Sequence, residues 1–303
     1  MLTRQGIRTR ITDLITDTDA ATVTLVNNLV NETHHHILTR WRWPFLEVIG
    51  TRTTVASTAT YRLPHNYGKM LHVTTTIAGI EYPVEIVEDL NLWLHITARG
   101  TSNTSEPPQY VFLSADTAEF WPVPSTAGRT ITFYYTRRVV DFANDDYTTG
   151  TIDALANGAS AVTGAATVWT AGFVGRYLRI TSNGFWYEIS ARTSNTAITI
   201  IKTYAGTTIT APGGEAYTIG ELPVIPEEFH ELLIWRPVAF YYLQKERQDL
   251  SRVYFDLFET GMTRMQREFG TKSHQFVIPP RGTLREQSRF IDPNDPPQTA
   301  VIT

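Results

Sequence analysis

The hydrophobic period changes twice along this chain, and that double switch restricts the architecture more than any other property of the sequence. Ile7, Ile11, Leu14 and Ile15 recur at helical spacing. After Asp17-Thr18-Asp19, which can cap a helix start, so do Val23, Val26, Leu29, Val30, Ile37, Leu38 and Trp41. Pro44 in Trp41-Arg42-Trp43-Pro44-Phe45 closes this second amphipathic helix, because a residue before proline is pushed out of the helical region. Beyond it Thr51 to Tyr61, Tyr110-Val111-Phe112-Leu113, Glu119-Phe120-Trp121 and Thr130 to Tyr135 are short β-type runs, and Val84 to Ile96 is expected to form one short helix.

Between about Thr148 and Gly220 charges thin out and Thr, Ala and Gly dominate. Runs such as Tyr177 to Ile180, Phe185 to Ile189 and Ala197 to Ile201 alternate with turns, and Asn183-Gly184 is the strongest hairpin signal. The helical period then returns. Pro226-Glu227-Glu228 reads as a first turn, Phe229, Leu232, Leu233, Phe240 and Leu243 follow with a kink expected at Pro237, and Leu250, Val253, Tyr254, Leu257, Phe258, Met262, Met265 and Phe269 form a stripe stopped by Gly270. The pattern predicts an α+β fold: a helical bundle from the N- and C-terminal helix pairs, an antiparallel β platform, a small all-β inserted domain and an extended C-terminal arm. The domains so defined are a body at 1–148 and 220–270, the insert at 149–219 and the arm at 271–303.

The last segment carries prolines and scattered polar residues and no periodicity. Its apolar residues Phe276, Val277, Ile278, Phe290 and Ile291 suit docking on a partner by strand addition, flanked by Pro279, Pro280, Arg281, Arg285 and Arg289.

Composition removes whole classes of chemistry. The chain has 303 residues and no cysteine, which excludes thiol catalysis, disulfides and thiolate metal sites. A net charge of -4 removes the general attraction to phosphates on which basic nucleic-acid binders rely. No apolar stretch approaches the length of a membrane span, and the first residues lack a secretory signal, so the Asn31-Glu32-Thr33 and Asn103-Thr104-Ser105 acceptor patterns carry no meaning.

Candidate catalytic groups fare poorly. His34-His35-His36 point about 100° apart in turn on a helix, whereas helical metal ligands need i, i+4 spacing. His230-Glu231 would need a second histidine at the position of Ile234. No phosphate-cradling loop, nucleophile elbow or dinucleotide fingerprint occurs. Asp141, Asp145, Asp146, Glu227 and Glu228 could supply a carboxylate pair, but helix-start electrostatics explain Glu227 and Glu228, a turn explains Asn144-Asp145-Asp146, and Asp141 to Tyr147 lacks a calcium-loop pattern. Trp41, Trp43 and Phe45 are expected to plug a core. No enzyme, cofactor or metal site is expected.

Arg40-Trp41-Arg42-Trp43-Pro44-Phe45-Leu46-Glu47, the strands running into Tyr61-Arg62-Leu63-Pro64-His65-Asn66-Tyr67-Gly68-Lys69, and the helical pair opened by Leu222 to Leu233 together resemble the head-to-tail adaptor proteins of tailed bacteriophages, the group that includes tail tubular protein A. The resemblance covers 1–148 and 220–270. It implies a structural virion protein at the head-tail junction, made in the host cytoplasm. Its copies would form a ring, dodecameric by analogy, that joins the portal to a downstream tail or nozzle protein, retains packaged double-stranded DNA and conducts it at ejection, the arm reaching the portal. Two alternatives stay open: a receptor- or carbohydrate-binding tail component using Trp169, Trp186 and Tyr187, and an adaptor with peptidoglycan hydrolase activity.

Overall fold

The computed structural model describes residues 1–64, 66–98 and 104–270, which form one compact α+β unit. All ten residues expected in the C-terminal arm, from Phe276 to Ile291, lie outside the described residues.

Helices α1 (Arg4–Ile15) and α2 (Ala20–Arg40) lead, and α4 (Leu232–Gln244) and α5 (Gln248–Phe269) close, the described chain. Thr3 caps α1 by accepting the Gly6 amide hydrogen, which satisfies one of the donors a helix start leaves free. At α2 the cap residue Asp19 makes no side-chain capping bond. Asp17 instead accepts from the Asp19 amide, the Thr22 hydroxyl and the Tyr241 hydroxyl, so the acidic cluster stitches the α1–α2 turn to α4. Ile7, Ile11, Val26, Val30 and Ile37 meet Leu233, Val238, Phe258, Met262 and Met265 in one core, each full burial contributing about 1.5–3 kcal/mol.

Trp41 is 47% exposed, because its extended backbone ends the helix and turns the ring away. Trp43 is the plug, fully buried, its indole N–H donating to the Ile37 carbonyl at 2.8 Å. The first turn expected at Pro226 is a separate 3-10 turn, Glu227–Phe229, fixed by the Phe229 amide donating to the Pro226 carbonyl. The α5 stripe is buried only along Phe258, Met262 and Met265, leaving Val253 and Leu257 exposed.

The first sheet has seven strands: β1 (Glu47–Thr53), β2 (Thr60–Arg62), β3 (Tyr67–Ile77), β4 (Ile80–Val87), β5 (Tyr110–Ser114), β6 (Thr117–Trp121) and β7 (Thr130–Arg137), in the order β1-β7-β3-β4-β5-β6-β2. Val84 to Ile96 is not one helix: β4 continues to Val87, and α3 (Leu90–Thr97) starts at Asp89, whose carboxylate accepts the Asn91 amide hydrogen. That helix is the crossover that a parallel pair requires. The sheet is accordingly mixed, with β4 and β5 parallel where an all-antiparallel platform was expected. Val73, Val84, Val111, Phe120, Ile131 and Phe133 fill its concave side.

The second sheet has six strands, all paired antiparallel: β8 (Thr151–Ala154), β9 (Ala161–Ala165), β10 (Tyr177–Ile180), β11 (Trp186–Ser194), β12 (Ala197–Ile200) and β13 (Tyr217–Gly220), in the order β13-β10-β11-β12-β9-β8. Gly184 adopts φ 76° in the β10–β11 connection, and its amide donates to the Ile180 carbonyl. This sheet has its own core around Trp169, Leu178, Ile180, Ile198 and Ile219.

Candidate functional site

The three histidines separate in environment, as their angular spacing requires. His34 is buried, stacks on Phe142 at 4.5 Å between ring centroids, and neither ring nitrogen has a hydrogen-bond partner among the described residues. Burial pushes its pKa down to about 3, so the ring is neutral. His35 lies 2.6 Å from the Asp141 carboxylate at the surface, and His36 packs beside Phe258. His230 is also buried. Its Nδ1 accepts the Leu2 amide hydrogen at 3.1 Å, and its Nε2–H therefore donates to the Ile225 carbonyl at 3.0 Å. Burial lowers its pKa to about 4. Among the described residues no group of three or more His, Asp or Glu converges as a metal cage.

The candidate carboxylates Asp141, Asp145 and Asp146 each have their own partners. Asp141 faces His35, while Glu227 and Glu228 occupy the 3-10 turn before α4. Asp145 accepts from Arg8 at 2.7 and 3.0 Å and from Arg4 at 3.0 Å, and Asp146 accepts from the Thr3 hydroxyl at 2.8 Å. Burial holds the Asp146 carboxyl above the usual carboxylate range, with the Thr3 hydroxyl working in the opposite direction.

These two aspartates belong to a polar junction the sequence did not single out. Arg176, 94% buried, donates through Nη2 to the Asp145 carbonyl at 2.6 Å and the Ile219 carbonyl at 3.1 Å, with its guanidinium 5.0 Å above the Phe173 ring. Glu221 accepts from the Ala143 and Asn144 amides, and its carbonyl accepts from Arg4. The start of α1, the segment after β7 and the edge strand β13 are thereby tied at one place. A planar guanidinium serving two carbonyls fixes orientation as well as distance, so the six-stranded sheet is held by a geometry-specific clamp.

The aromatic residues offered as a sugar-stacking face divide in the same way. Trp169 is fully buried, its indole N–H donating to the Tyr217 hydroxyl, and Tyr187 is buried in the same core. Only Trp186 keeps a partly exposed ring, with Arg179 above it at 5.8 Å. Trp169 and Tyr187 are core residues because their polar tips find partners inside the sheet.

A second unforeseen feature lies where the seven-stranded sheet curls. Its two edge strands approach each other: Arg52 on β1 donates through Nε to the Arg62 carbonyl on β2, and the Tyr61 hydroxyl bonds the amide and carbonyl of Val55. A Cβ at Gly50 would sit 2.9 Å from the Pro64 ring, so glycine is what permits this approach. Between the edges runs a cleft of about 590 Å³ lined in part by Arg52, Arg62, Asp116 and Arg138. Neither Arg62 nor Arg138 has an ion-pair partner among the described residues. Asp116 and Arg138 join Arg52 and Arg62 only through strand order, which no local pattern announces.

No described helix is long and apolar enough to cross a membrane. A family model described as SU10 adaptor protein matches residues 2–171, more than half of the chain. No curated protein matches the chain.

Proposed function

Because the chain belongs to the SU10 adaptor protein family, and so is a phage adaptor, we propose that its copies assemble into a ring between the portal and the tail. The family match over residues 2–171 carries the reading, since that stretch contains α1, α2 and the whole seven-stranded sheet.

In this reading α1, α2, α4 and α5 are the helical bundle of the body, the tail tubular protein A-like resemblance describes its layout, and 149–219 is the inserted β domain. The family match runs on to residue 171, past the start of β9, so the family pattern extends into that block. The 271–303 arm, with Phe276, Val277, Ile278, Phe290 and Ile291, reaches the portal. The ring is dodecameric, engages a downstream tail or nozzle protein, retains packaged double-stranded DNA and conducts it without reading its sequence, at the head-tail junction of the virion. The role is structural, with no cofactor and no metal. A surface that awaits a partner supports it: α3 exposes Leu90, Leu92 and Leu94, and only Trp93 of its residues is buried, stacked on Phe112. A ring is built by heterologous contacts, in which two different faces of each copy meet.

Native mass spectrometry and negative-stain imaging of the full chain with its portal test this. A closed ring bound to the portal is expected; persistent monomers without portal binding overturn it.

A further inference from the structure

In a sheet ordered β1-β7-β3-β4-β5-β6-β2, strand β4 is the central one, three strands from either edge. Since the sheet curls until β1 and β2 approach, β4 lies across the curl from the seam. The two sides are opposite in charge. The seam carries Arg52, Arg62 and Arg138 against the single Asp116. The far side carries Glu81 and Glu85 on the outer face of β4, then Glu88 and Asp89 leading into α3. All four are exposed, and the three glutamates have no ion-pair partner among the described residues. Each side also bears unpartnered apolar surface. Leu90 and Leu94 are 54% and 55% exposed beside the acids, and Ile49 and Val140 are 64% and 71% exposed on the segments that border the seam.

We propose that the seam of one copy receives the β4–α3 corner of the next, so that this sheet alone supplies both faces of a head-to-tail contact between copies. The occupant is a second copy of this chain, chosen by charge complementarity together with the apolar residues present on both sides. Apolar residues at the centre with charges around them is the composition of a protein contact, and opposite charges set its register and rate of encounter. The two faces differ and lie on opposite sides, which is the condition for a contact that propagates from copy to copy and can close. The proposal rests on the ring reading and specifies which surfaces build it.

The test uses the full chain and two variants, Arg62→Glu/Arg138→Glu and Glu85→Arg/Glu88→Arg, in native mass spectrometry and light scattering over a concentration series. Each variant alone is expected to associate at least about tenfold more weakly than the parent, because like charges then face each other. Mixed in equal amounts the two should assemble again, since the acidic seam of one fits the basic corner of the other; this recovery also shows that both are folded. Unchanged assembly of either variant, or a mixture that stays apart, overturns the proposal while a ring formed by the parent leaves the ring reading intact. A parent that does not assemble with its portal overturns both. If the seam variant assembles normally but binds duplex DNA fragments more weakly, the arginines serve phosphates and the proposal falls.

Discussion

Asn31 and Phe142 exchange two hydrogen bonds: the Asn31 Oδ1 accepts the Phe142 amide hydrogen at 2.9 Å, and its Nδ2 donates to the Phe142 carbonyl at 3.1 Å. One side chain on α2 thus does what a neighbouring strand would do, and it holds Phe142 over the His34 ring. Asn31→Ala leaves both backbone groups without their partner, at a cost of about 1–3 kcal/mol. Denaturant unfolding of the variant should show a lower midpoint with an unchanged slope. An unaltered midpoint would mean that water replaces the amide.

Acid should unfold the protein through its buried histidines. His34 and His230 have folded pKa values of about 3 and about 4, against 6.5 for a free ring. The folded state therefore refuses protons that the unfolded chain takes up. Their contribution is complete above pH 6.5 and is lost as pH falls toward 4, at up to about 1.4 kcal/mol per pH unit for each histidine. Thermal unfolding should show a Tm that drops steeply between pH 6.5 and 4.5. His34→Leu removes a ring with two unpaired nitrogens, so it should flatten that drop and raise the Tm at pH 5. A variant with the parental slope would show that His34 is not the group responsible.

Gly150 adopts φ 81°, and a Cβ there would lie 2.5 Å from the Ala165 carbonyl oxygen. Gly150→Ala combines a left-handed backbone with a clash against main chain, costing about 2–4 kcal/mol. Hydrogen exchange should report the loss first in β8 and β9. If 149–219 is a domain in its own right, amides of α4 and α5 keep their protection. Equal loss in both regions would show that the two parts unfold together.

Removal of residues 271–303 should leave the Tm of the body unchanged, since the cores of the two sheets and of the helices are assembled within residues 1–270. Portal binding by the same truncated chain, followed by pull-down, should be lost. Binding that survives the truncation would move the portal contact onto the body.

The helices and the hairpin at Asn183-Gly184 were legible because their signals are local: apolar spacing, caps and a turn that needs positive φ. The parallel β4–β5 pair was not, since α3 follows β4 with only Glu88 and Asp89 between them, and apolar residues recur through both elements, from Val84, Ile86 and Val87 to Leu90, Leu92, Trp93, Leu94 and Ile96. Trp41 and Trp43 show the limit within three residues. Composition marks both as core, and only the backbone turn at the end of α2 decides that Trp43 enters and Trp41 stays outside. The clamp at Arg176 and the arginine seam have no local signature at all, because their partners are brought in by strand order from other parts of the chain.

The bond between Asp17 and Tyr241 spans 224 positions of sequence. During synthesis at the ribosome the two leading helices therefore emerge long before α4 and α5 exist to cover them. The six-stranded sheet, whose strands all lie within Thr151–Gly220, can close while the earlier helices still wait with their apolar faces unmatched. A chaperone that shields those faces until α5 appears would raise the yield of native protein, and pulse proteolysis of stalled nascent chains would find the sheet protected first.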